Sequence, residues 1–165
     1  MPGRLDFMQS AALLLTVVTA YEALFERLKV PREKAGSVLS VGGVGGVGSI
    51  AIQLLRTLTD AEVYATASRP ESIEWVQSMG AQHVIDRRTS LLEQCTQGRL
   101  PEFDYIFSTM HSDSNHAVFP LKPFGALCLI DDPSEFDVAP FITRAQSVHW
   151  ELMFTKTLFD RNRES

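Results

Sequence analysis

Cysteine is scarce: 165 residues hold only Cys95 and Cys128, with no Cys-x-x-Cys pair and no Cys/His group at metal-ligand spacing. That excludes a disulfide framework and a structural zinc module. Two isolated cysteines read as reduced thiols of a cytoplasmic protein. Basic residues are in deficit, with 15 Lys and Arg against 20 Asp and Glu and a formal charge of −5. Broad attraction to nucleic acid or an anionic membrane is thereby excluded, and any bound anion must be caught by a local site. Long hydrophobic runs are missing as well. The most apolar stretch near the start, Ala11 to Val18, is broken by Thr16 and falls short of the roughly 20 residues that span a bilayer. It imitates a signal peptide only weakly, because Asp6 dilutes the flank of Arg4 while Tyr21, Leu24, Phe25 and Leu28 continue the pattern at helical spacing. Residues 1–30 are expected to be a buried lead-in helix.

After Pro31 strand and helix patterns alternate, the signature of a parallel sheet covered by helices. Strands are predicted at Ser37–Val41, Glu62–Ala67, His83–Ile85, Asp104–Ser108, Gly125–Ile130 and Val148–Phe154. Helices are predicted at Val47–Leu58, Glu71–Met79 with Gly80 as its cap, Leu91–Cys95 and Asn115–Leu121. The fold class is α/β, a Rossmann-type doubly wound parallel six-stranded sheet with helices on both faces. Its domain covers residues 31–154, and 155–165 form a polar tail.

The informative segment is Val41-Gly42-Gly43-Val44-Gly45-Gly46-Val47-Gly48-Ser49. Gly43, Gly45 and Gly48 fit G-x-G-x-x-G, and Gly42, Gly45 and Gly48 fit G-x-x-G-x-x-G. In either frame one glycine makes the strand-to-helix turn, Gly45 admits a pyrophosphate, and Gly48 lets the helix pack closely on the strand. Free N–H groups around Gly46 and Val47 then face the phosphates with the helix dipole behind them. A P-loop is excluded because Ser49-Ile50, not Lys-Ser/Thr, follows Gly48. No Tyr-x-x-x-Lys pair supports a short-chain dehydrogenase. A methyltransferase stays open, although it usually places an acid at the end of the second strand. About 20 residues past the loop an acid would select NAD over NADP, but the sequence has Ala67-Ser68-Arg69-Pro70. A hydroxyl and a guanidinium suit a 2′-phosphate, and the expected cofactor is NADPH.

Several other residues tempt. His111, Asp113 and His116 crowd one loop, yet nothing fixes their geometry, and a solvated loop beside the adenine is expected. His83 and His149 are expected to be structural. Phe103, Tyr105, Ile106 and Phe107 read as core. Ser108, closing the fourth strand, and Asp131, after the fifth, complete the candidate cofactor set. Asp131 stands either at the edge of a nicotinamide pocket or in a plain turn before Pro133.

Leu15-Thr16-x-x-Thr19-Ala20-Tyr21-Glu22-Ala23-Leu24-Phe25, the Gly42–Gly48 loop and Met79-Gly80-Ala81-Gln82-His83-Val84-Ile85-Asp86 together resemble the cofactor domain of medium-chain dehydrogenase/reductases. Ala65 to Glu71 and His149 to Thr155 narrow the resemblance to the quinone oxidoreductase branch, the zinc-type alcohol dehydrogenase-like proteins. Leu14 departs from the proline usual before Leu15-Thr16. The resemblance implies an NADPH-dependent oxidoreductase reducing a conjugated carbonyl or quinone, with Thr16 near the nicotinamide and no catalytic zinc. It implies that a GroES-like catalytic domain is absent here, that Met1-Pro2-Gly3 is an arbitrary start, and that the chain alone is inactive. No catalytic residue is assigned. Related enzymes pair their last strand across a twofold axis, so a homodimer through Val148–Phe154 is expected. The alternative is a stand-alone NADPH-sensing or interaction module without catalysis.

Overall fold

The computed structural model describes residues 6–110, 119–132 and 135–159. Its central strand, β1 (Ser37–Val41), is buried at every position. It lies between β2 (Glu62–Thr66) and β4 (Phe103–Ser108), with β3 (His83–Ile85) beyond β2, and β5 (Leu121–Leu129) then β6 (Ser147–Trp150) beyond β4. The order is β3-β2-β1-β4-β5-β6 and every pairing is parallel. Strand order reverses between β1 and β4, which opens a crevice above their carboxyl ends.

The side chains of a parallel sheet must be covered on both faces, and period-two alternation divides them. Val38, Val63, Ala65, Phe107 and Cys128 meet Ala51, Ile52 and Leu55 of α2 (Gly46–Leu58) and Val76 of α3 (Pro70–Met79). Ala20, Ala23 and Leu24 of the lead-in segment join that face. Leu39, Tyr64, Ile106, Leu127 and Leu129 point the other way, towards Phe141 and Leu91. Those two residues come from the short helices α5 (Ala139–Ile142) and α4 (Leu91–Thr96). Each fully buried Leu, Ile or Phe contributes about 1.5–3 kcal/mol. Local signals behave as expected at α3: Pro70 opens it and Gly80 closes it in the left-handed region at φ 114°.

Three expectations need correction. The lead-in is not a buried helix over Ala11–Val18. α1 (Phe7–Tyr21) leaves Leu14 70% and Leu15 51% exposed, and the chain then widens into a π-helical turn at Glu22–Arg27, where burial begins in earnest. Leu121 does not end a helix begun at Asn115. Residues 115–118 lie outside the described set, and Leu121 opens β5 opposite Phe103. The apolar run seemed to start at Gly125 because a register shift, with Phe124 at φ 66°, interrupts the strand. The last strand stops at Trp150 rather than Phe154. β5 has ended at Leu129, so after Glu151 N donates to Leu129 O at 2.9 Å the chain turns into α6 (Thr155–Phe159).

Candidate functional site

The turn after β1 is made by Gly42, at φ 80°. Its N–H donates to Thr66 Oγ1 at 3.0 Å, and its carbonyl accepts from Gly45 N at 3.0 Å and Thr109 Oγ1 at 3.3 Å. The close approach belongs to Gly48. A β-carbon there would stand 2.4 Å from Gly42 O and 2.8 Å from Gly43 Cα, so only glycine lets α2 start this near the turn. Gly43 serves packing, since a β-carbon on it would come within 3.1 Å of Ala65 Cβ and Ile52 Cδ1. Gly45 caps α2, and Ser49 N makes the first intrahelical bond to its carbonyl at 2.8 Å. The amides of Gly46, Val47 and Gly48 therefore lie outside the helix's own bonding, beside the crevice. Ser49 Oγ ties the loop down through Gly43 O at 3.1 Å and accepts from Trp75 Nε1 at 2.8 Å. That is an anion cradle built from backbone, with the positive end of the α2 dipole added.

One strand over, Ser68 and Arg69 follow β2. The Ser68 hydroxyl oxygen is buried without a well-formed hydrogen bond, while Arg69 is exposed and has no acidic partner among the described residues. Beside them, after β3, stands Asp86. Arg88 grips its carboxylate from Nε at 3.1 and 2.9 Å and from Nη2 at 2.6 Å, and Arg88 N adds a bond of 2.9 Å. The Arg88 guanidinium first, then that amide, hold Asp86 well below the usual carboxylate range, and the nearby Ser68 hydroxyl adds to the effect. Arg87 reaches Met110 Sδ, and Met110 flanks Gly42. Sequence reasoning missed Asp86, Arg87 and Arg88 as site residues. The signal was there in an acid and two arginines directly after a strand that pairs with β2.

The remaining expected residues are spread along the crevice. Thr16 donates to Leu13 O at 3.0 Å, and its methyl lies 3.4 Å from where a Gly46 β-carbon would be, so it packs on the glycine loop. Ser108 is fully buried and donates to Met110 O at 2.9 Å. Asp131 is half-buried where the chain leaves β5. His111, Asp113 and His116 fall outside the described residues. His83 stacks on Tyr64 at 4.3 Å and bonds Glu62 at 2.8 Å, a structural role. Among the described residues no His, Cys, Asp and Glu group could hold a metal ion, and no helix is long and apolar enough to cross a membrane.

A second polar cluster lies at the far edge of the sheet. Glu151, 3% exposed, accepts from Arg27 Nε at 2.6 Å, and Lys156 bridges Glu22 at 3.0 Å and Glu26. Burial raises the Glu151 carboxyl, with Arg27 opposing and the neighbouring Glu22 reinforcing the rise. Burial also pushes the Cys128 thiol up to about 12, leaving it inert.

Comparison with known proteins follows the same lines. The family model for zinc-binding dehydrogenases matches residues 46–159. A zinc-type alcohol dehydrogenase-like protein of Staphylococcus aureus is 38% identical over 135 residues, covering 78% of this chain and 40% of that protein. A solved structure from Rhizobium etli, named for the zinc-dependent alcohol dehydrogenases, superposes with a TM-score of 0.85 at 46% identity, over 98% of this chain and 48% of that one. The quinone oxidoreductase of Thermus thermophilus, solved also with NADPH, shares the fold at 21% identity and a TM-score of 0.76, over 98% of this chain and 51% of its own. The chain thus spans about half the length of the proteins it matches.

Proposed function

The chain belongs to the zinc-binding dehydrogenase family, and from that premise we propose that it is the NADPH-binding half of a cytoplasmic reductase acting on quinones or conjugated enones. The observation that carries the reading is the end of β2, where a Ser68 hydroxyl that makes no well-formed hydrogen bond and an exposed Arg69, without an acidic partner among the described residues, stand in place of an acid. A dianionic 2′-phosphate supplies what both groups lack, whereas a 2′-hydroxyl would leave Arg69 idle. The cradle fits the rest of a dinucleotide, since Gly42 and Gly48 hold the turn tight against α2 while a β-carbon on Gly45 or Gly46 would meet nothing nearer than 3.4 Å, which leaves the α2 amides open to a pyrophosphate. Bound there, NADPH would supply a hydride to the substrate. The chain's own residues bind and orient the cofactor.

Two exposed apolar surfaces support partners for this half. Leu14 and Leu15 on α1 suit the remainder of a longer parent. The edge of β6, with Trp150, Leu152 and Phe154 outward, suits its twofold mate in a homodimer.

Calorimetry with NADPH and NADH tests the cofactor assignment. NADPH should bind more tightly, and Arg69→Ala should remove about 1.5–3 kcal/mol of its binding, the scale of a charged hydrogen bond. Equal affinities, or an unaffected variant, would overturn the reading. NADPH oxidation with 1,4-benzoquinone should be negligible for these 165 residues alone, because on this reading the other wall of the cleft belongs to the remainder of the parent.

A further inference from the structure

The last bond between β2 and β3, from Ala67 N to Ile85 O at 3.0 Å, sends Ser68-Arg69 and Asp86 out of the sheet side by side. An acid at this edge of a dinucleotide site accepts from a ribose hydroxyl and repels a 2′-phosphate. The chain therefore does carry an acid beside Ser68 and Arg69, displaced by one strand. Its charge is met by Arg88. Both carboxylate oxygens are occupied by the Arg88 guanidinium, and Oδ1 also accepts from the Arg88 amide. A two-residue separation and that amide bond fix the geometry locally, so the pairing does not depend on distant packing.

We propose that Arg88 sets the cofactor preference by masking Asp86: the guanidinium occupies the carboxylate, so that Ser68 and Arg69 receive a 2′-phosphate without a facing negative charge. Arg88 is in this sense a positioning residue, acting through Asp86. The inference rests on the NADPH reading of Ser68 and Arg69 and goes beyond it by assigning the selectivity to a pair outside β2. Removing Arg88 unmasks an acid that favours NADH. Removing Asp86 as well leaves nothing to mask.

The test is titration of NADPH and NADH into the 165-residue chain and into Arg88→Met, Asp86→Asn and the double variant, each checked for a thermal unfolding transition. Arg88→Met should weaken NADPH by about fivefold to tenfold, the scale of one close charge pair at a surface, and leave NADH unchanged or bound up to about twofold more tightly. The double variant should regain NADPH affinity to within about twofold of the unaltered chain, and Asp86→Asn alone should keep the preference. If the Met variant loses its unfolding transition, Arg88→Gln gives the same comparison. Three results overturn masking: equal loss for both cofactors, no loss for either, or a double variant as weak as Arg88→Met, which would mean that Arg88 itself touches the phosphate. An unaltered chain without NADPH preference overturns both this inference and the Ser68–Arg69 reading. A preference that Arg88→Met leaves undiminished overturns masking alone.

Discussion

The crevice above β1, β2 and β3 and the outer edge at β6 distribute charge and apolar surface in opposite senses. At the crevice the ionic groups are outside: Arg69 is exposed, and the Asp86–Arg88 pair has side chains 42% and 74% exposed. Beneath them lie glycines and small residues whose backbone amides point outward. At the β6 edge the ionic groups are inside. Glu151 is buried against Arg27 and Glu22, while Trp150, Leu152 and Phe154 are 48%, 59% and 51% exposed. The first arrangement suits a small anion that arrives with its own solvation to lose. The second suits a large apolar surface, with the buried charges pinning the lead-in segment to the end of the sheet. The two regions therefore predict different failures when altered.

The largest expected effect is at the buried pair. Glu151→Ala strands Arg27 beside Cys128 and removes the link from β6 to the π-helical turn, at a cost of about 3 kcal/mol in folding stability. Urea unfolding measures it, and a loss below about 1 kcal/mol would show that the pair is solvated rather than structural. Next comes Gly48→Ala at the crevice. Its new β-carbon meets backbone on both near sides, so α2 must shift. Overpacking of this kind costs about 1–3 kcal/mol, and dinucleotide binding should fall below detection by calorimetry in a chain that still unfolds cooperatively. An unchanged cofactor affinity would dissociate the glycine loop from binding.

The same contrast explains what could be read from the sequence. The crevice is written in local chemistry. Gly42 to Gly48 and Pro70 to Gly80 each satisfy rules that operate within a few residues, and the β1–α2 turn, the close packing at Gly48 and the bounds of α3 follow from them. Asp86–Arg88 is equally local, but its meaning depends on β3 lying beside β2, which only the assembled sheet shows. The β6 edge is written in long-range contacts. Alternation over Val148 to Phe154 marked Trp150, Leu152 and Phe154 as an apolar row on one extended strand. It gave no sign that Arg27, far away in sequence, draws Glu151 inside, or that β5 runs out and forces a turn. The lead-in segment is helical as expected, and only its burial differs, for a similar reason. Helical spacing identifies a face, but not whether anything covers Leu14 and Leu15.

A smaller effect is expected at the exposed row. Trp150→Ser leaves the β6 backbone able to pair but removes an aromatic anchor from the proposed twofold contact. It should weaken self-association by about tenfold, equivalent to about 1.4 kcal/mol, with little change in the unfolding transition of the monomer. Sedimentation velocity over a concentration series reads it directly. A wild-type chain that stays folded and monomeric at high micromolar concentration would remove the homodimer, leaving the row to cover some other surface.

The finest test of the comparison is the sign of a pH dependence. Glu151 is raised above its ordinary value of 4.5, mainly by burial, so the folded chain holds this proton more tightly than the unfolded chain does. By linkage that contribution is fully present below the unfolded carboxyl's pKa and is lost as pH rises through the folded one. Glu102 behaves in the opposite way. Its carboxylate is lowered by the bidentate Arg144, at 2.6 and 2.9 Å, so its contribution is present above the unfolded pKa and disappears as pH falls. Glu151→Gln replaces the titrating carboxyl with a neutral amide of the same shape. The variant should therefore gain on the wild type as pH rises above the ordinary carboxylate range, whatever constant offset the lost ion pair introduces. Glu102→Gln should lose on the wild type as pH rises from about 3 to 5 across the ordinary carboxylate range. Urea unfolding of the three chains across these intervals gives both slopes. If Glu151→Gln instead loses ground with rising pH, burial does not raise the Glu151 carboxyl, and the β6 edge is held by a plain salt bridge to Arg27.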